Sequence, residues 1–284
     1  MISKTTKGFL TILFASSLFG LMALLVKIAS SQVSAAQILL MRGVVGLVLI
    51  LPLIFIRRVA FNFKTIKPLI WRGVSGGIAV SLYFYAITRI PLADASILAN
   101  AYPIFAVFFS ALYLGEKIRL STLMALFVSL FGMGLVIQPH FASFDFAYLL
   151  AIISAVFAGL AITLVRQLRQ DNSSLFIMLS QIIGILVFAS PFVAVGFNWP
   201  ASSAWPLLLL IGLISTVSQL IFTIPFKFVP AAEGSIVAIN HAAFAVMFAV
   251  IFLKEPLSVN FFIGTVLIFG SSFYLIWRKE AEID

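Results

Sequence analysis

The sequence predicts an all-α membrane protein: ten transmembrane helices in two inverted five-helix repeats, with both termini cytoplasmic. Three observations predict it. Of 284 residues, 63% are hydrophobic and only 10% charged, whereas soluble globular chains run about 45–50% apolar and ~25% charged. The apolar residues gather into ten runs, each near the ~20 residues that a helix needs to cross a bilayer. The two halves of the chain also repeat one another. Ten such helices use about 200 residues and leave roughly 84 for nine loops and two tails. That excludes an extramembrane catalytic or binding domain.

The predicted spans, in order, are 8–27, 36–56, 71–88, 93–114 and 120–138, then 148–165, 174–197, 206–226, 231–253 and 259–277. The runs are continuously apolar rather than alternating, so they are helices and not barrel strands. The first is long enough to span, and it reads as a retained helix rather than a cleavable signal peptide. Trp71, Trp199, Trp205 and Trp277 all fall at span ends, where the headgroup region favours indole rings. With both termini on one side, that side collects Lys4, Lys7, Arg57, Arg58, Lys64, Lys67 and Arg72, together with Lys117, Arg119, Arg166, Arg169, Lys227, Arg278 and Lys279. Only Lys27, Arg42, Arg89 and Lys254 of the 18 basic residues fall opposite. The basic side is therefore cytoplasmic, and the net charge of +9 reflects topology and anionic lipid rather than nucleic acid.

The repeat is clearest in two segments that align without a gap at an offset of about 139 residues. PLADASILANAYPIFAVFFSALYLGEKI begins at Pro91, and PAAEGSIVAINHAAFAVMFAVIFLKEPL begins at Pro230. Identities include Ser96/Ser235, Ile97/Ile236, Phe105/Phe244, Leu114/Leu253 and Glu116/Glu255, and Asp94 matches Glu233 in charge. Apolar helices share Leu, Ala and Val by chance, but not a proline and two acids in register. The offset holds at Gly20/Gly159, Val26/Val165, Pro52/Pro191 and Gly73/Gly212, which divides the chain at 1–139 and 140–284. Five helices is an odd number, so the second copy enters the membrane from the opposite side. Inverted repeats are a device of secondary transporters, whose halves exchange conformations around a central site.

The chain resembles the EamA-type drug/metabolite transporters. The resemblance rests on RGVVG early in the second span, YFYAITRIPLADASI across the third and fourth, and LGEK closing the fourth. It covers essentially the whole chain. It implies a metabolite carrier of the cytoplasmic (inner) membrane, commonly an exporter of amino acids or related solutes; relatives move sugar phosphates, nucleotide sugars, riboflavin, choline or S-adenosylmethionine. The motifs lie at helix ends and do not identify the cargo.

Polar groups inside a membrane are expensive, with Arg, Lys or Asp at a helix centre costing ~2.5–3.5 kcal/mol, so they should face a cavity or a partner. Asn100 and Pro103 in the fourth span, and Asn240 with His241 in the ninth, lie near mid-membrane in matching helices. Ser96, Asn100 and Pro103 share one helix face, and Pro103 frees the carbonyl of Ala99. These helices can build a central substrate site, or the amides can join helices to each other. Tyr83, Tyr85, Tyr102, Gln181 and Gln219 are further candidates for a cavity wall, although rings in so aromatic a chain also pack. Arg42, which the offset matches to Gln181, can attract an anionic group or snorkel to the interface, as can Lys27.

Asp94 and Glu233 are the candidates for proton coupling, yet each follows a proline by three residues, where a carboxylate caps exposed backbone N–H groups. Glu116 and Glu255 are expected to pair with cations or headgroups. Ala125, Ser129 and Gly132, like Gly264 and Ser271, read as packing seams. No metal site or cofactor is expected: there is no cysteine, His140 is in a loop and His241 stands alone. No phosphate-binding loop or nucleophile–base pair suggests ATP use or catalysis.

The leading reading is a secondary carrier for a small metabolite working by alternating access, with export of an amino acid or related solute favoured. Its partners are a small-molecule substrate and the lipid bilayer, not nucleic acid, as a monomer or homodimer. The alternatives are an uptake carrier for a nucleotide-like or quaternary-amine compound and, from another class, a non-transporting receptor or assembly protein.

Overall fold

The computed structural model describes residues 3–141, 145–194, 199–254, 256 and 258–281. In the first half the helices are α1 (Lys4–Ala29), α2 (Ala35–Ile56), α3 (Ile66–Ala86), α4 (Leu92–Ala99), α5 (Tyr102–Leu114) and α6 (Leu120–Ile137). In the second they are α7 (Phe146–Leu168), α8 (Ser174–Ala194), α9 (Trp205–Thr223), α10 (Ala231–Ala238), α11 (Asn240–Leu253) and α12 (Val259–Ala281). The pairs α4–α5 and α10–α11 each make one crossing, which gives ten crossings among the described residues.

Local sequence sets the helix starts. The Ser3 hydroxyl accepts from the Thr6 amide, and Ser34 and Gln37 satisfy each other's backbone N–H groups in a capping box. The Asp145 carboxylate accepts from the Ala147 amide. Gly115, at φ +64°, closes α5 in the left-handed conformation.

Nine crossings are apolar enough to span by composition alone. The tenth, α3, begins five residues before its expected start and is diluted by Arg72, Gly73, Ser75, Gly76 and Gly77. These residues are buried, because α3 is enclosed by α7 and α8 rather than by lipid. Arg72 lies in the second turn of α3, toward the basic end, and is buried in the protein at 3% exposure rather than set in a loop.

The packing repeats the sequence symmetry. The α2 and α8 helices occupy matching positions and pack against each other, as do α6 and α12. Around them α1 packs on α9 and α11, while its counterpart α7 packs on α3 and α5. A Cβ on Gly20 would lie 2.6 Å from Phe244 Cβ, and one on Gly159 would lie 2.5 Å from Phe105 Cβ. Both pairs obey the same offset, so one contact is the image of the other. At the α6–α12 seam Gly132 abuts Gly264, and the Ser129 and Ser271 hydroxyls are 2.5 Å apart. These small residues let backbones approach where no hydrophobic effect drives them together.

The loops sort onto two ends. At one end, Thr65 donates to Asn172 (3.0 Å), Arg166 to the Lys227 carbonyl (2.7 Å), and the Ser3 amide to Glu280 (3.4 Å). This is the end rich in Lys and Arg. At the other, Gln138 donates to Ser258 (3.0 Å). The perimeter exposes Phe14, Phe55, Phe108, Phe127, Phe131 and Phe273, each more than half accessible. So much exposed apolar surface belongs against lipid tails.

Candidate substrate site

Where α2 and α8 pack against each other, a polar cavity of about 50 Å³ lies between α2, α3, α8 and α9. Arg42, Val80, Gln181, Ser215, Thr216 and Gln219 line it. Arg42 and Gln181 are matched by the repeat offset, as are Val80 and Gln219. The cavity therefore sits on the pseudo-twofold axis, the position at which inverted-repeat carriers build their sites.

The two halves furnish it unequally. Arg42 Nε donates to Ser215 Oγ at 2.8 Å. The position matching Ser215 is Gly76, and there Arg72 reaches in instead, its Nη1 donating to Gln181 Oε1. A Cβ on Gly76 would collide with both groups, so the glycine makes room for the pairing. Thr216 donates to the Gly212 carbonyl at 2.7 Å. The Gln219 carboxamide makes no hydrogen bond among the described residues. A second, larger crevice of about 250 Å³ runs along the outer side of the α3–α8 contact, but it is apolar and bordered by the exposed Ile70, Ile183 and Val187.

The other candidate residues fall into two groups. Both mid-membrane helices break, α4 from α5 at Asn100–Ala101 and α10 from α11 at Ile239. In the second half the break is closed from within. Asn240 is fully buried, and its Nδ2 donates to the Val237 carbonyl (2.7 Å) and Ser272 Oγ (2.6 Å). His241 Nδ1 lies 2.7 Å from the Ala238 carbonyl. In the first half neither the Asn100 carboxamide nor the Tyr102 hydroxyl has a hydrogen-bond partner among the described residues. Tyr83 bonds Ser96 at 3.0 Å and joins α3 to α4.

The acids form the second group, and neither caps its own helix. Asp94 is buried and accepts from the His140 and Phe141 amides (2.7 and 3.1 Å) and the Tyr148 hydroxyl (2.8 Å), which ties α4 to the α6–α7 loop. Glu233 pairs with Arg278 and, at 3.5 Å, with Lys279, which ties α10 to α12. The open N–H groups of α10 are met by the other half: Glu116 accepts from the Ala231 and Ala232 amides (3.1 and 3.5 Å) and pairs with Arg166 at 3.4 Å. Glu255 lies outside the described residues.

Arg72, Ser215 and Thr216 were not singled out in the sequence as site residues. The signal for Arg72 was its place in a Gly/Ser-rich span; Ser and Thr are too common in helices to stand out.

The sequence matches the EamA-like transporter family twice, over residues 6–138 and 145–277. It is 36% identical to the pseudopaline exporter CntI of Pseudomonas aeruginosa (strain UCBPP-PA14) over 78% of either chain. It is 25% identical to a riboflavin transporter of Brucella anthropi, covering 69% of this chain and 72% of the other. A solved crystal structure superposes with a TM-score of 0.78 at 17% identity, covering 96% of this chain and 97% of that one, which shows the shared fold. With ten helical crossings among the described residues, nine of them apolar enough to span a membrane, a sequence repeat and two family matches, the chain belongs to the EamA-like transporter family as a multi-pass membrane transporter of small solutes.

Proposed function

We propose that the chain is a secondary carrier that exports a small amino-acid-like metabolite across the cytoplasmic membrane by alternating access. The observation that carries this reading is the polar cavity on the pseudo-twofold axis. A carrier needs its site where exchanging the conformations of two equivalent halves turns one opening into the other. The polar side of the cavity wall, Arg42, Gln181, Ser215, Thr216 and Gln219, carries groups of the kind that hold a zwitterionic solute, and Met178, Ile182 and Ile185 complete it. The likeness to a pseudopaline exporter supports outward movement. Asn100 and Tyr102, with free polar groups at a helix break, are the second place where solute meets protein along the path. Asp94 and Glu233 keep the helix ends together, and transport does not need them to release a proton.

Counterflow in proteoliposomes tests this. Vesicles preloaded with a small-molecule cell extract are presented with radiolabelled amino acids, riboflavin and choline. The expected result is saturable exchange of an amino-acid-class solute, reduced in Asn100→Ala. Exchange of riboflavin or choline alone would replace the reading with one of the uptake alternatives, and absence of exchange would contradict a carrier.

A further inference from the structure

Two arginines lie within the membrane-embedded core, and neither meets a carboxylate among the described residues. Arg42 makes one hydrogen bond, through Nε to Ser215, which leaves its two terminal nitrogens available at the cavity. Arg72 is 3% exposed, its Nε has no partner, and its Nη1 is given to Gln181. The described carboxylates that form ion pairs, Glu116 and Glu233, do so with Arg166, Arg278 and Lys279 at the basic end. A buried guanidinium without a counter-ion is strongly unfavourable, since desolvation is uncompensated. Arg72 is such a group, and Arg42 beside it is half-buried.

Their arrangement determines the polarity of the cavity. An amide has one acceptor end and one donor end. Arg72 occupies the acceptor oxygen of Gln181, so the Nε2 hydrogens are the end left for the cavity. Ser215 accepts from Arg42, and the Thr216 proton goes to the Gly212 carbonyl. The charged fork of Arg42 and the Gln181 amide are free donors, and the unbonded Gln219 carboxamide adds one donor end and one neutral acceptor end. No acid lines the space. A planar fork beside a planar amide matches a carboxylate, which accepts two parallel N–H bonds. The cavity of about 50 Å³ has room for a carboxylate head.

We propose that this cavity is the carboxylate subsite of an anionic or zwitterionic substrate, with Arg42 as its charge partner, Gln181 as a second donor, and Arg72 as the positioning residue that turns Gln181 to donate. The proposal rests on the transport reading and narrows it to substrates with a free carboxylate. It also gives a role to the asymmetry of the two halves: one supplies the charge, the other an oriented neutral donor.

The test is thermal unfolding of the purified full-length chain in detergent with acetate, glutamate, acetamide, N-acetylglutamate dimethyl ester, phosphate or chloride. Acetate and glutamate are expected to raise Tm saturably, with half-saturation roughly tenfold below that of the neutral analogues, as loss of one charged hydrogen-bonded pair implies. Arg42→Gln is expected to lose the shift, and the exposed-site control Arg89→Gln to keep it. Arg72→Met separates positioning from structure. It leaves Arg42 and the Gln181 side chain in place and adds no charge to the cavity, so a merely structural role predicts a lower basal Tm with carboxylate half-saturation unchanged, whereas the proposal predicts a raised half-saturation for carboxylates that Arg72→Lys partly restores.

Equal shifts from acids and neutral analogues, a shift with phosphate alone, no shift with any carboxylate, or a shift retained in Arg42→Gln would each overturn the proposal. Counterflow keeps the two readings apart. Exchange without carboxylate dependence removes the subsite and leaves the carrier; carboxylate binding without any exchange removes the carrier and leaves the subsite.

Discussion

At the residue scale, the matched asparagines show how one repeat position takes two roles. Asn240 is committed to the Val237 carbonyl and Ser272, so Asn240→Ala leaves a buried carbonyl unsatisfied and is expected to cost about 1–3 kcal/mol, read as a lowered Tm in detergent. Asn100 makes no such bonds. Its replacement by Ala is expected to change stability by no more than about 0.5 kcal/mol and to reduce counterflow instead. Equal destabilisation by both would show that the two breaks are alike. The sequence placed both residues in matching helices but could not divide these roles, because the division depends on Ser272, a residue of α12. Arg72 was hidden for a related reason: at the start of the predicted span 71–88, beside Lys67 and Trp71, it reads as a charge at the membrane boundary, and only the enclosure of α3 reveals it as a core residue.

At the element scale, the closest contacts lie between α3 and α8. A Cβ on Gly73 would lie 2.5 Å from the Ser180 carbonyl oxygen, and one on Gly77 would lie 2.5 Å from that of Gly184. This i, i+4 glycine pair lets the backbones touch and holds Arg72 over Gln181. Gly77→Val and Gly184→Val are expected to collapse the yield of folded protein, because backbone cannot retreat as a side chain can; overpacking costs about 1–3 kcal/mol even where relaxation is available. Gly134→Val, at a position with nothing within 4 Å of the added Cβ, is the control expected to express normally. The cross-half cap gives a further expectation: Glu116→Gln loses its ion pair with Arg166 and weakens its bonds to the α10 amides, lowering stability by about 1 kcal/mol. Spans were readable from apolar runs, and Pro103 marked the first break. The second has no proline, and backbone bonds three residues apart around Ile239 make it, so no residue type announced it.

At the scale of the whole molecule, the odd number of crossings per repeat turns a sequence copy into an inverted structure. The matching contacts of Gly20 and Gly159 show the two-fold relation of the halves in the packing. This much was legible because an offset and a charge bias survive in sequence, whereas the position of the cavity required knowing that α2 and α8 meet. The chain contains no cysteine, so single cysteines report sidedness without background. Lys67→Cys is expected to react with an impermeant maleimide only from the cytoplasmic face, and Arg89→Cys only from the opposite face; the reverse pattern would invert the topology. The most direct test of the central claim, a solute site on the axis that opens to each side in turn, is the same labelling of Val80→Cys, which lines the cavity. The account predicts reaction in both right-side-out and inside-out vesicles, slowed on either side by a transported solute. Reaction from one face only, or from neither while Arg89→Cys labels normally, would contradict it.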